Sequence, residues 1–245
     1  MIKTALITGC NRGLGLAILH KYATEGFNII ACIRKENDEF SAVCKEIEDA
    51  NNIKIAPIYF ELTEVSQIES AMAQVEALEV EIDVLVNNAG ISVMKPLLYT
   101  DYEDLMHSFQ INYFAPVMIT KTIASIMMRQ GHGSIVNVTS MGSLGHQPGG
   151  TIYDASKAAL NQLTITAAQE LAPFGIRVNA VACGPIYTEM FTTMPDKVQK
   201  KLTKATAMGR AAETDEITNF IFALSSDLSS YVTGQIIRVD GGAII

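Results

Sequence analysis

The chain lacks the features of a membrane protein or a disulfide-rich secreted protein. It has no tryptophan, and its 4 cysteines (Cys10, Cys32, Cys44 and Cys183) form no CxxC pair. A domain of 245 residues needs no disulfide staples, so we interpret these cysteines as reduced thiols of a cytoplasmic protein. Membrane helices need roughly 20 apolar residues in a row, and Lys121 interrupts the apolar segment 117–128. The amino-terminal residues show no signal-peptide pattern.

Positive charge is also scarce. The chain has 18 lysines and arginines against 26 acidic residues, for a net charge of −8. This balance argues against binding nucleic acid or anionic membranes, which both draw on clustered positive charge. The 4 histidines do not cluster with acids at metal-ligand spacing, so we predict no catalytic metal. Apolar residues, in contrast, make up 49% of the chain, more than one core needs, which favours a homo-oligomer.

Short β-rich runs alternate with segments of helical periodicity along the whole chain. The predicted strands are 3–8, 28–33, 54–60, 82–86, 134–139, 177–182 and 235–239. Several of them are apolar at consecutive positions, as in a parallel sheet that helices cover on both faces. We therefore predict an α/β protein with one domain, 1–245, and a doubly wound, Rossmann-type sheet of seven parallel strands. The long irregular region 184–210 is expected to be a substrate lid.

A glycine-rich turn follows the first predicted strand. It reads Thr8-Gly9-Cys10-Asn11-Arg12-Gly13-Leu14-Gly15 and leads into a helical run. Glycines allow a sharp turn and a close approach of a pyrophosphate, whose charge the N-terminus of the helix favours. The spacing GxxxGxG differs from the common GxGxxG fingerprint, and a tight strand-to-helix connection without a ligand is the alternative.

The end of the second strand predicts which dinucleotide binds. An acidic residue there would accept hydrogen bonds from the adenosine ribose and repel a 2′-phosphate. The chain instead reads Ala31-Cys32-Ile33-Arg34-Lys35, without an acid. Arg34 and Arg12 can together clamp a phosphate dianion, so NADP(H) is the predicted cofactor. The alternative is that both arginines are ordinary surface residues.

Tyr153 and Lys157 lie one helical turn apart in Tyr153-Asp154-Ala155-Ser156-Lys157. A nearby ammonium group would lower the pKa of the tyrosine and make it a general acid or base. Ser140 ends the predicted fifth strand, where its hydroxyl could hydrogen-bond a substrate oxygen. Tyrosine and lysine at this spacing also occur on ordinary helices, and a serine there can simply cap a turn.

Together these motifs resemble the short-chain dehydrogenase/reductase family over nearly the full chain. The resemblance rests on motifs in a fixed order: 8–15, Asn87-Asn88-Ala89-Gly90, Asn112, Ser140, Tyr153-x-x-x-Lys157, 179–190, Thr233-Gly234-Gln235 and Val239-Asp240-Gly241-Gly242.

The resemblance implies a catalytic set of Asn112, Ser140, Tyr153 and Lys157. Tyr153 would donate the proton to a carbonyl, Lys157 would lower its pKa and bind the nicotinamide ribose, and Ser140 would hold the substrate oxygen. Asn112 would anchor a water through its backbone and link Lys157 to solvent. Motifs and resemblance together predict these cofactor contacts: Gly9, Asn11, Arg12, Gly13, Leu14, Gly15, Arg34, Glu61, Leu62, Asn88, Ala89, Gly90, Tyr153, Lys157, Ile186 and Thr188.

The chain departs from the family pattern at two places. Cys183-Gly184 stands where the family usually has Pro-Gly, which would soften the bend that leads into the lid. Glu61-Leu62 stands where an aspartate is commoner near the adenine, and the longer carboxylate could still reach.

The lid carries the evidence on the substrate. Phe191, Met194, Val198 and Leu202 recur at helical spacing and predict an apolar face over the site. Lys197, Lys200, Lys201 and Lys204 cover the rest of that helix and could attract an acidic acyl carrier, or could simply be solvated. His146 could also line the pocket or lie in an exposed loop.

The overall pattern resembles the 3-oxoacyl-[acyl-carrier-protein] reductases of the family, which use NADPH, although the segments 130–133 and 173–175 lack the basic residues expected in them. A sugar, polyol, steroid-like or other small carbonyl compound is the alternative substrate. A non-catalytic NADP(H)-binding regulator and a sugar-nucleotide epimerase are alternatives of other classes; the complete catalytic set disfavours the first and the chain length the second. The resemblance also implies a homotetramer.

Overall fold

One parallel sheet of seven strands runs through the protein in the order β3-β2-β1-β4-β5-β6-β7. The structure is a computed structural model that describes residues 2–145 and 147–244, so His146 lies outside the described residues. The strands are β1 Thr4–Thr8, β2 Asn28–Ile33, β3 Ile55–Tyr59, β4 Val84–Asn87, β5 Gly133–Ser140, β6 Ile176–Cys183 and β7 Ile236–Val239. Each lies within two residues of its predicted position, which confirms the doubly wound fold.

Helices cover the sheet on both faces. They are α1 Gly13–Thr24, α2 Asp38–Asn51, α3 Val65–Ala77, α4 Tyr102–Phe109, α5 Ala115–Gln130, α6 Tyr153–Leu171, α7 Glu189–Thr192, α8 Asp196–Lys204 and α9 Thr214–Ser225. One core contains α1, α2 and α9, for example Ile18 and Ile221. The other contains α3, α5 and α6, for example Ile68 and Ile123. Successive strand residues point to opposite cores, which explains why the strands read as unbroken apolar runs.

The strand order reverses between β1 and β4. From β1 the chain runs outward to β3, and from β4 it runs the other way to β7. All strands are parallel, so their carboxyl ends meet at one edge of the sheet. In open α/β sheets ligands bind outside this edge, at the reversal point. Thr8, Asn87 and Ser140 end three of these strands and therefore border the expected crevice.

Arg177 in β6 ties the carboxyl end of α9 to the sheet. Its guanidinium group donates hydrogen bonds to the carbonyl oxygens of Leu224, Ser225, Ser226 and Val232 at 2.8 to 3.3 Å. Tyr22 on α1 contacts the same place through a 2.6 Å hydrogen bond to the Ser225 hydroxyl. Helix ends leave carbonyl oxygens without partners inside the helix, and one arginine satisfies several of them here.

The helical run Tyr102–Gln130 is long and apolar enough by composition to cross a membrane, yet 56% of its most apolar window is buried inside the protein. Ile119, Ile123 and Met127 pack in the core with α3 and α6. The run is therefore used as a core helix of the domain.

The region 184–210 has two short helices and is otherwise irregular. It contains α7 and α8, which Pro195 separates. The single amphipathic helix expected from Phe191 to Leu202 is therefore two short ones, because proline cannot continue a helix from the preceding turn. Phe191 is buried, whereas Val198 remains 40% exposed.

Candidate active site

The turn between β1 and α1 has the geometry of a phosphate cradle. Gly9 and Gly13 have φ angles of 75° and 56°, which favour glycine. A Cβ atom at Gly15 would lie 1.9 Å from the carbonyl oxygen of Gly9, so only glycine allows the first turn of α1 to pack against the loop. The loop thus presents bare backbone in front of a helix N-terminus, as a pyrophosphate requires.

Thr8 and Asn88 lock this turn to the end of β4. The Thr8 hydroxyl accepts hydrogen bonds from the backbone N–H groups of Asn88 and Ala89, both at 3.0 Å. The Asn88 amide in turn donates to the Thr8 carbonyl oxygen at 2.9 Å. Asn88 and Ala89 therefore lie beside the glycine turn, and the Asn88 side chain holds the turn in place. This role of Thr8 in joining the two turns was not predicted from the sequence.

Two arginines border the side of the crevice expected for the adenosine. Arg12 Nη1 lies 3.0 Å from Glu189 Oε2, and Arg34 Nε lies 3.2 Å from Glu61 Oε2. The Arg12 and Arg34 side chains are 75% and 62% exposed. Asn37 Nδ2 donates to Asn11 Oδ1 at 3.1 Å and so joins the loop after β2 to the glycine turn. These exposed ion pairs are weak, so a phosphate group can compete for either guanidinium.

Three further predicted contacts surround the same crevice. Thr188 closes toward the glycine turn, since its Cβ and Cγ2 atoms lie 3.9 Å from where a Cβ at Gly13 would be. Ile186 pairs with Ala212 and packs against the core that contains α1. Leu62 packs against the opposite core, and its carbonyl oxygen lies 3.4 Å from Gln110 Nε2.

Tyr153 begins α6 and lies beside Ser140 at the end of β5. Burial raises the pKa of Tyr153 to about 12, and the neighbouring Ser140 hydroxyl only partly offsets this. The spacing of Tyr153 and Lys157 predicts that the lysine ammonium lowers that pKa. In the structure the loss of hydration dominates, because burial disfavours the charged phenolate.

Lys157 is buried on the same face of α6. Its ammonium donates to the carbonyl oxygen of Val138 at 3.0 Å, two residues before Ser140. Burial lowers the pKa of Lys157 to about 8. A Cβ at Gly90 would lie 3.1 Å from Nζ, so the glycine lets the turn after β4 approach the lysine closely. This places Gly90 at the junction of the predicted cofactor and catalytic residues.

Asn112 lies in a π-helical turn, Gln110–Phe114, between α4 and α5. It is fully buried, and its side chain bonds the N–H and the carbonyl oxygen of Ile91, both at 2.9 Å. Its amide also donates to Ser156 on α6 at 2.9 Å. A π-helical turn inside an α-helix often marks a functional site. Asn112 thus fastens the loop after β4 to the helix that carries Tyr153 and Lys157.

Cys183 lies next to Ser140, its partner in the β5–β6 register. The thiol is buried, and burial raises its pKa to about 12, so it is a neutral group beside the predicted catalytic residues. The following Gly184 is needed for packing, since a Cβ there would lie 2.6 Å from the Cα of Asp240. The chain therefore keeps the family's glycine and replaces only the proline.

The family model described as enoyl-(acyl carrier protein) reductase matches residues 9–243. The chain belongs to the short-chain dehydrogenase/reductase family, and it is an oxidoreductase of that family.

Individual relatives agree on the family and differ in substrate. The chain is 39% identical over 244 residues to a 3-oxoacyl-[acyl-carrier-protein] reductase of Thermotoga maritima, covering 99% of this chain and 98% of the relative. It is 36% identical over 241 residues to a 3alpha-hydroxysteroid dehydrogenase of Mediterraneibacter gnavus, covering 98% and 96%. The L-sorbose reductase of Gluconobacter frateurii, solved with NADPH and L-sorbose, aligns with a TM-score of 0.89 at 25% identity and 99% and 97% coverage.

Proposed function

We propose that the protein is an NADP(H)-dependent oxidoreductase that transfers hydride between the nicotinamide and a carbonyl or alcohol substrate. The observation that carries the proposal is the convergence of Ser140, Tyr153 and Lys157 at one strand end. The Ser140 hydroxyl lies near enough to the Tyr153 phenol to lower its pKa. The Lys157 ammonium donates to the carbonyl oxygen of Val138, two residues before Ser140 on the same strand.

The residues present fit NADP(H). Gly9, Gly13 and Gly15 offer bare backbone to the pyrophosphate, and the exposed Arg12 and Arg34 border the place for a 2′-phosphate. No acid occurs between residues 31 and 35 to repel that phosphate. The NADPH bound to the sorbose reductase supports the same cofactor. When bound, the nicotinamide supplies or accepts the hydride.

Tyr153 is the proposed general acid. Its raised pKa keeps the phenol protonated at neutral pH, ready to donate a proton to the carbonyl oxygen during reduction. Ser140 would hold that oxygen through its hydroxyl, and Lys157 would stabilise the phenolate that results. Asn112 would position Lys157 and its path to solvent through the links to Ile91 and Ser156.

A panel assay tests this function. NADPH oxidation is measured against acetoacetyl thioesters, diketones, sugars and ketosteroids, with Tyr153→Phe as the matched inactive variant. Reduction of at least one carbonyl class by the wild type alone supports the proposal. A wild type that binds NADPH but turns over none of these compounds would favour the non-catalytic regulator.

The lysines of α8 favour a thioester on an acidic acyl carrier as the second, more specific candidate. Lys197, Lys200, Lys201 and Lys204 follow the helical spacing i, i+3, i+4, i+7 and line an open concavity of about 830 Å³. An acidic carrier protein complements this stripe in a chain of net charge −8. A lower KM for a carrier-bound acetoacetyl thioester than for a small-molecule thioester, lost at high salt, is the expected result. Equal KM values would favour a small free substrate.

Exposed apolar side chains support a homo-oligomer, and the family resemblance suggests a tetramer. Leu97, Leu98, Tyr99 and Tyr102 are 68 to 93% exposed and lie together at the start of α4. Patches of this kind mark contact surfaces between proteins. Light scattering should give four times the mass of one chain, and a monomer mass would contradict the proposal.

A further inference from the structure

Asp154 occupies a confined place behind the candidate active site. It follows Tyr153 directly on α6 and is partly buried. Its side chain faces the segment between Ser140 and Tyr153, which we call the substrate loop; the structure describes residues 141–145 and 147–152 of it. Gln147 Nε2 donates to Asp154 Oδ1 at 3.2 Å. The Asp154 carboxylate therefore contacts the loop that separates the two predicted catalytic residues.

Two glycines of the substrate loop make room for this carboxylate. A Cβ at Gly142 would lie 2.2 Å from Asp154 Oδ1, and a Cβ at Gly150 would lie 1.8 Å from Oδ2. Any side chain at either position would collide with the carboxylate. Gly150 also accepts a hydrogen bond from the Asp154 N–H at 2.9 Å. Asp154 thus packs between the backbones of the two ends of the loop and bonds a side chain from its middle.

Further hydrogen bonds connect the substrate loop to Ser140 and to the segment after β4. Asn161, seven residues after Asp154 on α6, donates to Ser143 at 2.7 Å, and Ser143 donates to the carbonyl oxygen of Ser140 at 2.5 Å. The Lys95 N–H donates to the Gly149 carbonyl oxygen at 3.0 Å and joins the loop to the segment after β4. A shift of the loop would therefore be transmitted both to Ser140 and to the opposite wall of the crevice.

We propose that Asp154 is a positioning residue that clasps the substrate loop through Gly142, Gln147 and Gly150, and thereby sets the affinity for the carbonyl substrate and the alignment of Ser140. This role rests on the proposed function, because it concerns the same site. The clasp acts by shape and hydrogen bonding: the carboxylate has the size that the space between the glycines admits, and one of its oxygens accepts the Gln147 amide proton.

An alternative role is electrostatic, because the negative charge of Asp154 also contributes to raising the pKa of Tyr153. Two variants separate the roles. Asp154→Asn keeps the shape and an oxygen acceptor but removes the charge, whereas Asp154→Glu keeps the charge but adds a methylene that the space does not admit. A clasp predicts that Asn preserves function and Glu impairs it; a charge effect predicts a shifted pH profile for Asn and near-normal behaviour for Glu.

The experiment combines kinetics with hydrogen exchange on the full-length protein. For Asp154→Ala we expect kcat/KM for the carbonyl substrate to fall about 10-fold, since small misplacements of a reacting group cost this much or more in rate, with the KM for NADPH within about 2-fold of wild type. Gln147→Ala should give a smaller effect in the same direction, and the double variant should be no worse than Asp154→Ala because the two changes break one interaction. Glu170→Ala, an exposed acid at the far end of α6, is the control and should match wild type.

Hydrogen exchange keeps the inference separate from the proposed function. Amides of the substrate loop should exchange faster in Asp154→Ala and Asp154→Glu than in wild type or Asp154→Asn, whether or not the right substrate has been found. Unchanged exchange in all variants overturns the clasp, as does an unchanged kcat/KM for the carbonyl substrate in Asp154→Ala. An impaired Asp154→Asn with a shifted pH profile overturns it in favour of the charge effect. If the wild type turns over no substrate but the loop of Asp154→Ala still exchanges faster, the result counts against the proposed function and leaves the clasp standing.

Discussion

Replacement of Arg34 by aspartate should reverse the preference for NADPH over NADH. The Arg34 side chain is 62% exposed and pairs with Glu61 at 3.2 Å. A hydrogen bond between charged groups contributes about 1.5–3 kcal/mol, and giving up an exposed ion pair costs at most about 1 kcal/mol. Losing the arginine should therefore weaken NADPH binding by about 1–2 kcal/mol, or roughly 5- to 30-fold. The new carboxylate, beside the unpaired Glu61, would add repulsion of the 2′-phosphate and could accept hydrogen bonds from the ribose of NADH.

The assay is steady-state kinetics with each cofactor at a fixed concentration of a reducible substrate. The ratio of kcat/KM for NADPH to that for NADH should fall by at least 10-fold in Arg34→Asp, and the loss should shrink at high salt because the site is exposed. Lys35→Asp is the matched control, with the same charge change one residue away on an exposed side chain. An unchanged ratio in Arg34→Asp, or an equal fall in Lys35→Asp, would refute the assignment of Arg34 to the 2′-phosphate.

Three further predictions concern packing and protonation. In Gly15→Ala the new methyl group would collide with the Gly9 carbonyl oxygen at 1.9 Å. Calorimetry should therefore show a stability loss of about 1–3 kcal/mol, together with weaker NADPH binding. NADPH binding at wild-type strength would contradict the assignment of this turn to the pyrophosphate. Arg177→Ala leaves the carbonyl oxygens at the end of α9 without their partner, and urea unfolding should show a loss of about 2 kcal/mol or more, whereas Arg129→Ala, an exposed surface arginine, should show almost none. Burial raises the pKa of Cys32 from 9.0 to about 12, so the stabilising contribution of the neutral thiol is complete below pH 9 and is lost as the pH rises toward 12. By pH 10 the loss is about 1.4 kcal/mol. The unfolding free energy of Cys32→Ala should therefore decline less steeply above pH 9 than that of wild type.

The fold was predictable because its signals are local. Unbroken apolar strands such as 28–33, with glycines and helical periodicity between them, permit few arrangements other than a doubly wound sheet. The break at Pro195 was also readable in principle, but the spacing of apolar residues from Phe191 to Leu202 continues across it and suggested one helix. Periodicity records which face is apolar and does not record whether the backbone is continuous.

The candidate site was predictable only to the level of residue types. Tyr153, Lys157 and Ser140 come together as expected, but the pKa of Tyr153 depends on how deeply it is buried, which no spacing reveals. Asp154 was missed although it lies inside the quoted motif, because its partners Gly142 and Gly150 become neighbours only when the substrate loop folds back on α6. Contacts across a loop are set by tertiary packing, and one sequence carries no local signal for them.

The central claim is that Tyr153 supplies the proton that accompanies hydride transfer. The direct test is a single-turnover measurement of NADPH oxidation with Tyr153→Phe, which keeps the ring and removes the hydroxyl, alongside NADPH binding by fluorescence titration. We expect the rate of the chemical step to fall by at least 10²-fold, in line with the usual contribution of a positioned general acid, with the Kd for NADPH within about 3-fold of wild type. Hydride transfer at close to the wild-type rate in Tyr153→Phe would contradict the claim.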